Sequence, residues 1–228
     1  FIEMNNPPVN ALSISFLNEL HDAVDLYQDC APSDVSMLVF KSLVGGFCAG
    51  ADLKERAQMN VENAIQTVEN IRELFRKIES ISCPTIASID GFALGGGLEL
   101  ALSCDFRFCS KNSILGLPET SLGIIPGAGG TQRLPRLIGL SKAKKWIFSA
   151  ERFSATKALE DGVVDEIFNN SERMDNFIKK FAENIKRNSQ SAVSLSKKAI
   201  NYGCQKSFEQ GLLIEREQYL ETLDNSDR

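Results

Sequence analysis

The chain is poor in the groups that most often carry chemistry. Among its 228 residues there is one histidine, His21, and one tryptophan, Trp146. Metal sites built on several imidazoles are therefore excluded, and a Ser-His-Asp mechanism would have to run through that single ring. The six cysteines, Cys30, Cys48, Cys83, Cys104, Cys109 and Cys204, form no CxxC pair. Several lie in apolar segments, so all are expected to be free buried thiols of a reducing compartment. The Asn169-Asn170-Ser171 sequon carries little weight in that setting. Positive charge is not in excess. Lys and Arg number 25 against 30 Asp and Glu, for a net charge of −5, so the global basic field of a dedicated nucleic-acid binder is missing. No apolar run approaches the ~20 residues of a membrane span. No signal-peptide pattern opens the chain, which starts inside a strand pattern, and a trimmed targeting segment is the expectation.

What is present suffices for a large core. Hydrophobic residues make up 43% and charged residues 24%, ordinary values for a globular domain. A chain of this length buries roughly 70% of its unfolded surface and needs no staple. Strand and helix patterns alternate first. Phe1 to Met4 reads as a strand, Asn5 to Pro8 as a turn, and Ser13 to Tyr27 as a helix with Ile14, Leu17, Leu20 and Val24 at helical spacing. Val35 to Phe40 is a near-continuous apolar run, typical of a strand covered on both faces. Val61 to Ile81 carries Val61, Ile65, Val68, Ile71, Leu74, Phe75 and Ile78 on one stripe and ends at Cys83-Pro84. Thr85 to Ile89 and Asp105 to Cys109 read as further strands, with a short helix from about Leu98 between them.

After Pro126 the pattern turns helical, over 141–149, 154–159, 172–187, 191–201 and 207–223, and its last two thirds give no strand signal. No internal repeat is visible. The expectation is an α/β core over residues 1–135 and a helical region over 136–228. With so short a core, those helices are expected to pack on a neighbouring subunit as well.

Three glycine-rich segments combine small and polar residues between strands. The first runs from Gly45 through Gly50-Ala51-Asp52 to Lys54. Small residues there let a ligand approach backbone N–H groups, or simply make a tight turn with Asp52 as a helix N-cap. The second is Gly91 to Leu100, with Gly95-Gly96-Gly97 entering a helix. It matches neither GxGxxG nor a Walker loop, but a bare helix start receives anions. A carboxylate such as Glu99 in the run FALGGGLELAL is either at the surface or buried with a partner or a raised pKa. The third is Leu117 to Thr131, where Glu119 sits in an apolar Pro/Gly-rich loop whose tail from Gly127 resembles a phosphate loop. Alone it reads as structure. Together, two carboxylates and two N–H sources at strand ends suit acid–base work beside an oxyanion hole. His21 borders an apolar stripe and reads as packing. Lys142, Lys144 and Lys145 read as a solvated face, Trp146 and Phe148 as core or subunit contact, and the SxxK match at Ser194 to Lys197 is mid-helix and discounted.

At these segments the sequence resembles the crotonase (enoyl-CoA hydratase/isomerase) superfamily. The matching pieces are FCAGADLKE (47–55), IDGFALGGGLELALSCD (89–105) and LPETSLGIIPGAGGTQRLPR (117–136). Its nearest likeness is to the mitochondrial branch of methylglutaconyl-CoA hydratase and the enoyl-CoA hydratase domain-containing proteins. The resemblance implies a ββα spiral with a helical C-terminal trimerisation region, assembled as a homotrimer or hexamer. It implies that the Ala51 and Gly96 N–H groups form an oxyanion hole for a thioester carbonyl. Glu99 and Glu119 become the paired catalytic glutamates, and Gly127 a backbone position near the reacting water. Ala49, Asp52 and Lys54 fall where the family meets coenzyme A. The implied reaction is syn addition of water to a 2-enoyl-CoA, with Glu99 holding water and Glu119 protonating C2. Coenzyme A is part of the substrate, so no separate cofactor and no metal is expected. Family isomerases often keep one glutamate, and both are present here. The resemblance also implies a mitochondrial matrix setting, further N-terminal strand, and a basic tail past Arg228 that helps close the coenzyme A site.

The alternatives are a methylglutaconyl-CoA hydratase, an enoyl-CoA isomerase, a non-catalytic crotonase-fold scaffold, or an RNA binder. A relative binds AU-rich RNA through a lysine-rich helix. The corresponding stretch, Asn18 to Asp29, carries acids and no lysine, so RNA binding ranks below catalysis.

Overall fold

A computed structural model describes residues 1–28 and 35–223. Cys30 and Asp29 lie outside the described residues. Four times the chain lays down two short strands and then one or two helices. The first unit is β1 (Ile2–Met4), β2 (Ala11–Leu12) and α1 (Ile14–Gln28). Next come β3 (Leu38–Ser42), β4 (Gly50–Ala51), α2 (Leu53–Arg56) and α3 (Val61–Ser80). The third unit is β5 (Thr85–Ile89), β6 (Phe92–Leu94) and α4 (Gly96–Leu102). The fourth is β7 (Phe106–Ser110), β8 (Ile114–Gly116), a 3-10 turn (Pro118–Leu122) and α5 (Gly130–Ile138).

The first strand of every unit joins one parallel sheet, and the second joins a smaller one. The large sheet has the order β1-β3-β5-β7 followed by a later strand, β10 (Glu166–Phe168), while β2 pairs with β4 and β6 with β8. This is the ββα spiral expected from the resemblance.

The large sheet is covered on both faces, which is why its strands read as apolar runs. Alternation along β3 sends Leu38 and Phe40 into the main core and Val39 to the opposite face. On that opposite face Val39, Ile86 and Phe108 meet Met174 and Ile178 of α8 (Ser171–Lys186). Phe108 stands edge-on to Phe177 at 5.3 Å. On the main face α1 packs against α3, which buries Ile71, Leu74, Phe75 and Ile78. Each such side chain contributes about 1.5–3 kcal/mol. The apolar stripe of α3 outruns its partners, because Val61 is 78% exposed and Ile65 is exposed too.

The remaining elements are α6 (Leu140–Phe148), β9 (Phe153–Ser154), α7 (Ala155–Asp161), β10 (Glu166–Phe168), α9 (Gln190–Gly203) and α10 (Phe208–Leu223). The expectation of a strand-free C-terminal stretch is corrected by β10, which pairs in parallel with Phe108–Ser110 and completes the large sheet. Three residues before an Asn-Asn turn are too few to show a period. Trp146 is core, stacked on Phe153 at 4.2 Å with its Nε1–H donating to Asp161 at 2.9 Å, whereas Phe148 is exposed. Four described cysteines are buried, but Cys204 is exposed. It caps the end of α9 on the solvent side, which corrects the reading of all six as buried. Burial pushes the Cys48, Cys104 and Cys109 thiols up to about 12, out of reach as nucleophiles. His21 is half-buried with Nε2 3.2 Å from Asn70 O, a packing contact. Among the described residues no helix is long and apolar enough to cross a membrane.

Candidate active site

The site is built where α4 begins. The three glycines there are required by contact and by torsion. Gly95 has φ 53° and ψ −125°, a conformation closed to L side chains in practice. A Cβ on Gly97 would overlap the carbonyl of Cys48. That close approach seats the start of α4 on the strand carrying Gly50 and Ala51. A Cβ built on Gly96 would lie 3.7 Å from Ala51 N, so the two expected N–H donors sit on facing backbones. Gly95 supplies no capping side chain, and the first N–H groups of a helix have no partner within it. The start of α2 is different. There the Asp52 carboxylate accepts from Lys54 N at 2.8 Å and Glu55 N at 3.2 Å. Asp52 is thus engaged as an N-cap, next to exposed Lys54. Ala49 N donates to Val9 O at 3.0 Å.

One turn into α4, Glu99 is 3% exposed. Its Oε1 accepts from Ala128 N at 2.8 Å and from Gly130 N at 2.7 Å. The tail after Gly127 therefore does bind an acceptor at a helix start, and the acceptor is the protein's own Glu99 carboxyl. Burial raises the pKa of Glu99. The Gly130 and Ala128 N–H groups oppose that rise, followed by the charges of Arg133 and Arg72.

Glu119 enters from the 3-10 turn and is 8% exposed. A Cβ on Gly95 would be 3.1 Å from its Oε1, which puts the second carboxylate beside the N–H donors. Its Oε2 is buried with no hydrogen-bond partner among the described residues. Burial pushes its pKa up to about 7. Its own backbone N–H opposes the rise, and the charge of Glu99 adds to it.

Glu99, Glu119, Ala51 and Gly96 thus lie in one neighbourhood at the start of α4. Gly127 adjoins Glu99's loop, and its carbonyl accepts from Arg72 Nε. Sequence reasoning missed Ala128 and Gly130, which hold Glu99, and Arg72 and Arg133, which hold their loop. The phosphate-loop likeness of the Gly127 tail was the available signal. Among the described residues no group of His, Cys, Asp and Glu could hold a metal ion. Chemically, the arrangement offers two buried carboxyl groups whose pKa values are both raised, one of them bonded by two backbone N–H groups and the other close to the start of α4, where the Gly96 and Ala51 backbones meet.

Comparison with known proteins agrees with the fold and points to one family. A family profile described as Enoyl-CoA hydratase/isomerase matches residues 1–228. A probable mitochondrial enoyl-CoA hydratase 2 of Arabidopsis thaliana is 42% identical over 232 residues, covering 100% of this chain and 76% of that one. The mitochondrial methylglutaconyl-CoA hydratase of Mus musculus is 42% identical over 223 residues, covering 96% of this chain and 70% of its own. A crystal structure of an enoyl-CoA hydratase from Bacillus anthracis superposes with TM-score 0.94 at 41% identity. It covers 99% of this chain and 87% of its own.

Proposed function

The chain belongs to the enoyl-CoA hydratase/isomerase family, and we propose that within it the protein adds water to a 2-enoyl-CoA thioester through Glu99 and Glu119. The observation that carries this reading is the pairing of two buried carboxylates in unlike surroundings beside the Ala51 and Gly96 N–H groups. The thioester oxygen accepts from those two donors. As water attacks C3, charge passes to that oxygen, and losing one such donor typically costs about 10²–10³ in rate. Glu99 has Oε1 fixed by two N–H groups and turns Oε2 to the water, whose proton it takes. Glu119, protonated up to about pH 7, gives its proton to C2. One C–O and one C–H bond form on the same face as the C=C π bond is lost, and the two carboxyl groups exchange protonation states. They titrate as a coupled pair.

Exposed apolar side chains on neighbouring elements, among them Leu53, Ile65, Leu122 and Ile125, offer surface to an acyl chain. Ala49, Asp52, Lys54 and Gly127 stand as the proposed coenzyme A and water contacts. No separate cofactor is part of the proposal. A trimer or hexamer is part of it, supported by α10, which buries none of its residues and exposes Phe208, Leu213 and Tyr219. A mitochondrial setting is proposed from the names of the plant and mouse relatives.

A second reading has its own observation: identity to the mouse methylglutaconyl-CoA hydratase equals that to the plant enoyl-CoA hydratase. Hydration of crotonyl-CoA and of 3-methylglutaconyl-CoA, each followed by loss of enoyl-thioester absorbance, separates the two. Turnover of crotonyl-CoA supports the straight-chain reading, and turnover of the branched acid alone moves the assignment to the second. Bound acyl-CoA with no hydration of either, or of longer enoyl-CoA chains, overturns both.

A further inference from the structure

Glu99 is held by a loop, and the loop is held in turn by two arginines from different helices. Arg72 of α3 donates from Nε to Gly127 O. Arg133 of α5 donates from Nη1 to Ala128 O at 3.0 Å and from Nη2 to Glu79 Oε2 at 3.0 Å. Two consecutive carbonyls are thus gripped on one side of the loop, while Ala128 N and Gly130 N point at Glu99 on the other. A peptide is planar, so fixing the Gly127 carbonyl fixes the direction of the Ala128 N–H in the same unit. We propose that Arg72 and Arg133 are positioning residues for Glu99, clamping the Gly127–Gly130 loop so that both N–H groups stay aimed at its Oε1. This deepens the hydratase reading and, in its kinetic part, rests on it.

The clamp ties Glu99 to α3. Val68, Arg72 and Glu79 follow at helical spacings of four and seven, which places them on one face of that helix. A Cβ on Gly127 would lie 3.2 Å from Val68 Cγ1, Arg72 holds Gly127 O, and Glu79 braces Arg133. A shift of α3 is therefore transmitted to the water-holding carboxylate. The same helix bears the exposed Val61 and Ile65 at its other end.

The charges around Glu99 are few. Strands β2, β4, β5 and β6, which pack on α4, carry no charged residue. From α5 come Arg133 and the outward-facing Arg136, bonded to Gln132. From the 3-10 turn comes Glu119, and from α3 come Arg72 and Glu79, with Glu69 paired to Arg72. The two arginines are the cations that favour the charged form of Glu99.

The test uses Arg72→Gln, Arg72→Lys and Arg133→Gln on the full chain. Arg72 is half exposed, so its variants should fold even where Arg133→Gln does not. The first readout needs no substrate: side-chain carboxyl carbon-13 titration of Glu99, assigned by its loss in Glu99→Gln, with exchange rates of the Ala128 and Gly130 amides. Arg72→Gln should raise the Glu99 midpoint by about half to one pH unit, the direction for losing a nearby cation. Exchange at both amides should quicken roughly tenfold. Arg72→Lys, which keeps the charge, should recover most of the midpoint. The second readout is kinetic. With the enoyl-CoA that wild type hydrates, Arg72→Gln should lower kcat about threefold to tenfold at nearly constant KM, since small misplacements of a reacting group are costly. Unchanged midpoint and exchange in Arg72→Gln would overturn the clamp. If wild type hydrates nothing, the functional reading fails, and titration and exchange still decide the clamp.

Discussion

Glu99 and Glu119 are neighbours of nearly equal burial, yet their surroundings differ in kind. Glu99 lies in a helix and receives two backbone N–H bonds and the field of two arginines. Glu119 lies in a five-residue 3-10 turn and leaves one oxygen unpartnered among the described residues. Burial raises both pKa values, and only Glu99 has several groups opposing the rise. In the proposed reaction, that difference assigns opposite proton roles to two identical side chains: the proposed donor has partners withheld, and the proposed acceptor has them supplied.

The sharpest way to break the comparison is Glu119→Gln. It keeps the shape and removes the proton, so kcat should fall about 10³-fold while acyl-CoA binding, followed by calorimetry, is retained. Near-normal turnover would end the role assigned to Glu119. Stability should separate the two residues next. Glu99→Ala leaves the Ala128 and Gly130 N–H groups without their acceptor in a buried site, at a cost of about 2–5 kcal/mol in denaturant unfolding.

Glu119→Gln should do the reverse at alkaline pH. The folded pKa of Glu119, about 7, lies above its ordinary value of 4.5. Its protonated form therefore stabilises the fold fully below about 4.5, and that contribution is lost as pH rises through 7. The difference is worth roughly 3 kcal/mol. Thermal unfolding of Glu119→Gln should accordingly match wild type near pH 4 and exceed it at pH 8. In the pH–rate profile, the wild-type limb that reports the proton donor should fall above about pH 7, because a donor must be protonated to act. The smallest effect belongs to the other helix start. Asp52→Ala should cost about 1 kcal/mol in unfolding free energy, since α2 has a side-chain cap where α4 has bare glycine.

Much of this was legible in the chain, and the limits were physical. The triple glycine before Glu99 and the helical stripe of Val61 to Ile81 are local signals, and they located α4 and α3. The buried state of Glu99 was an open alternative, because it depends on Ala128 and Gly130, which are 29 and 31 residues away. Nothing local marks Arg72 as a partner of Gly127 across 55 residues. The spiral repeat shows no sequence periodicity because its units share a path and not a residue pattern. Strand β10 was missed because its support is long-range, from pairing with β7 and packing against α7 and α8. The end of the apolar stripe was also misleading: hydrophobic spacing at Val61 and Ile65 looks the same whether a partner covers it or not.

The most direct test is an infrared difference measurement of carboxyl protonation on wild type, Glu99→Gln and Glu119→Gln between pH 5.5 and 8.5. The expected result is a protonated-carboxyl carbonyl band in wild type that fades with a midpoint near 7. The component with that midpoint should be lost in Glu119→Gln and present, with a lower midpoint, in Glu99→Gln, where the neighbouring charge is gone. A band that persists in Glu119→Gln and vanishes in Glu99→Gln would reverse the two roles. No such band in wild type at pH 5.5 would contradict the division of labour altogether.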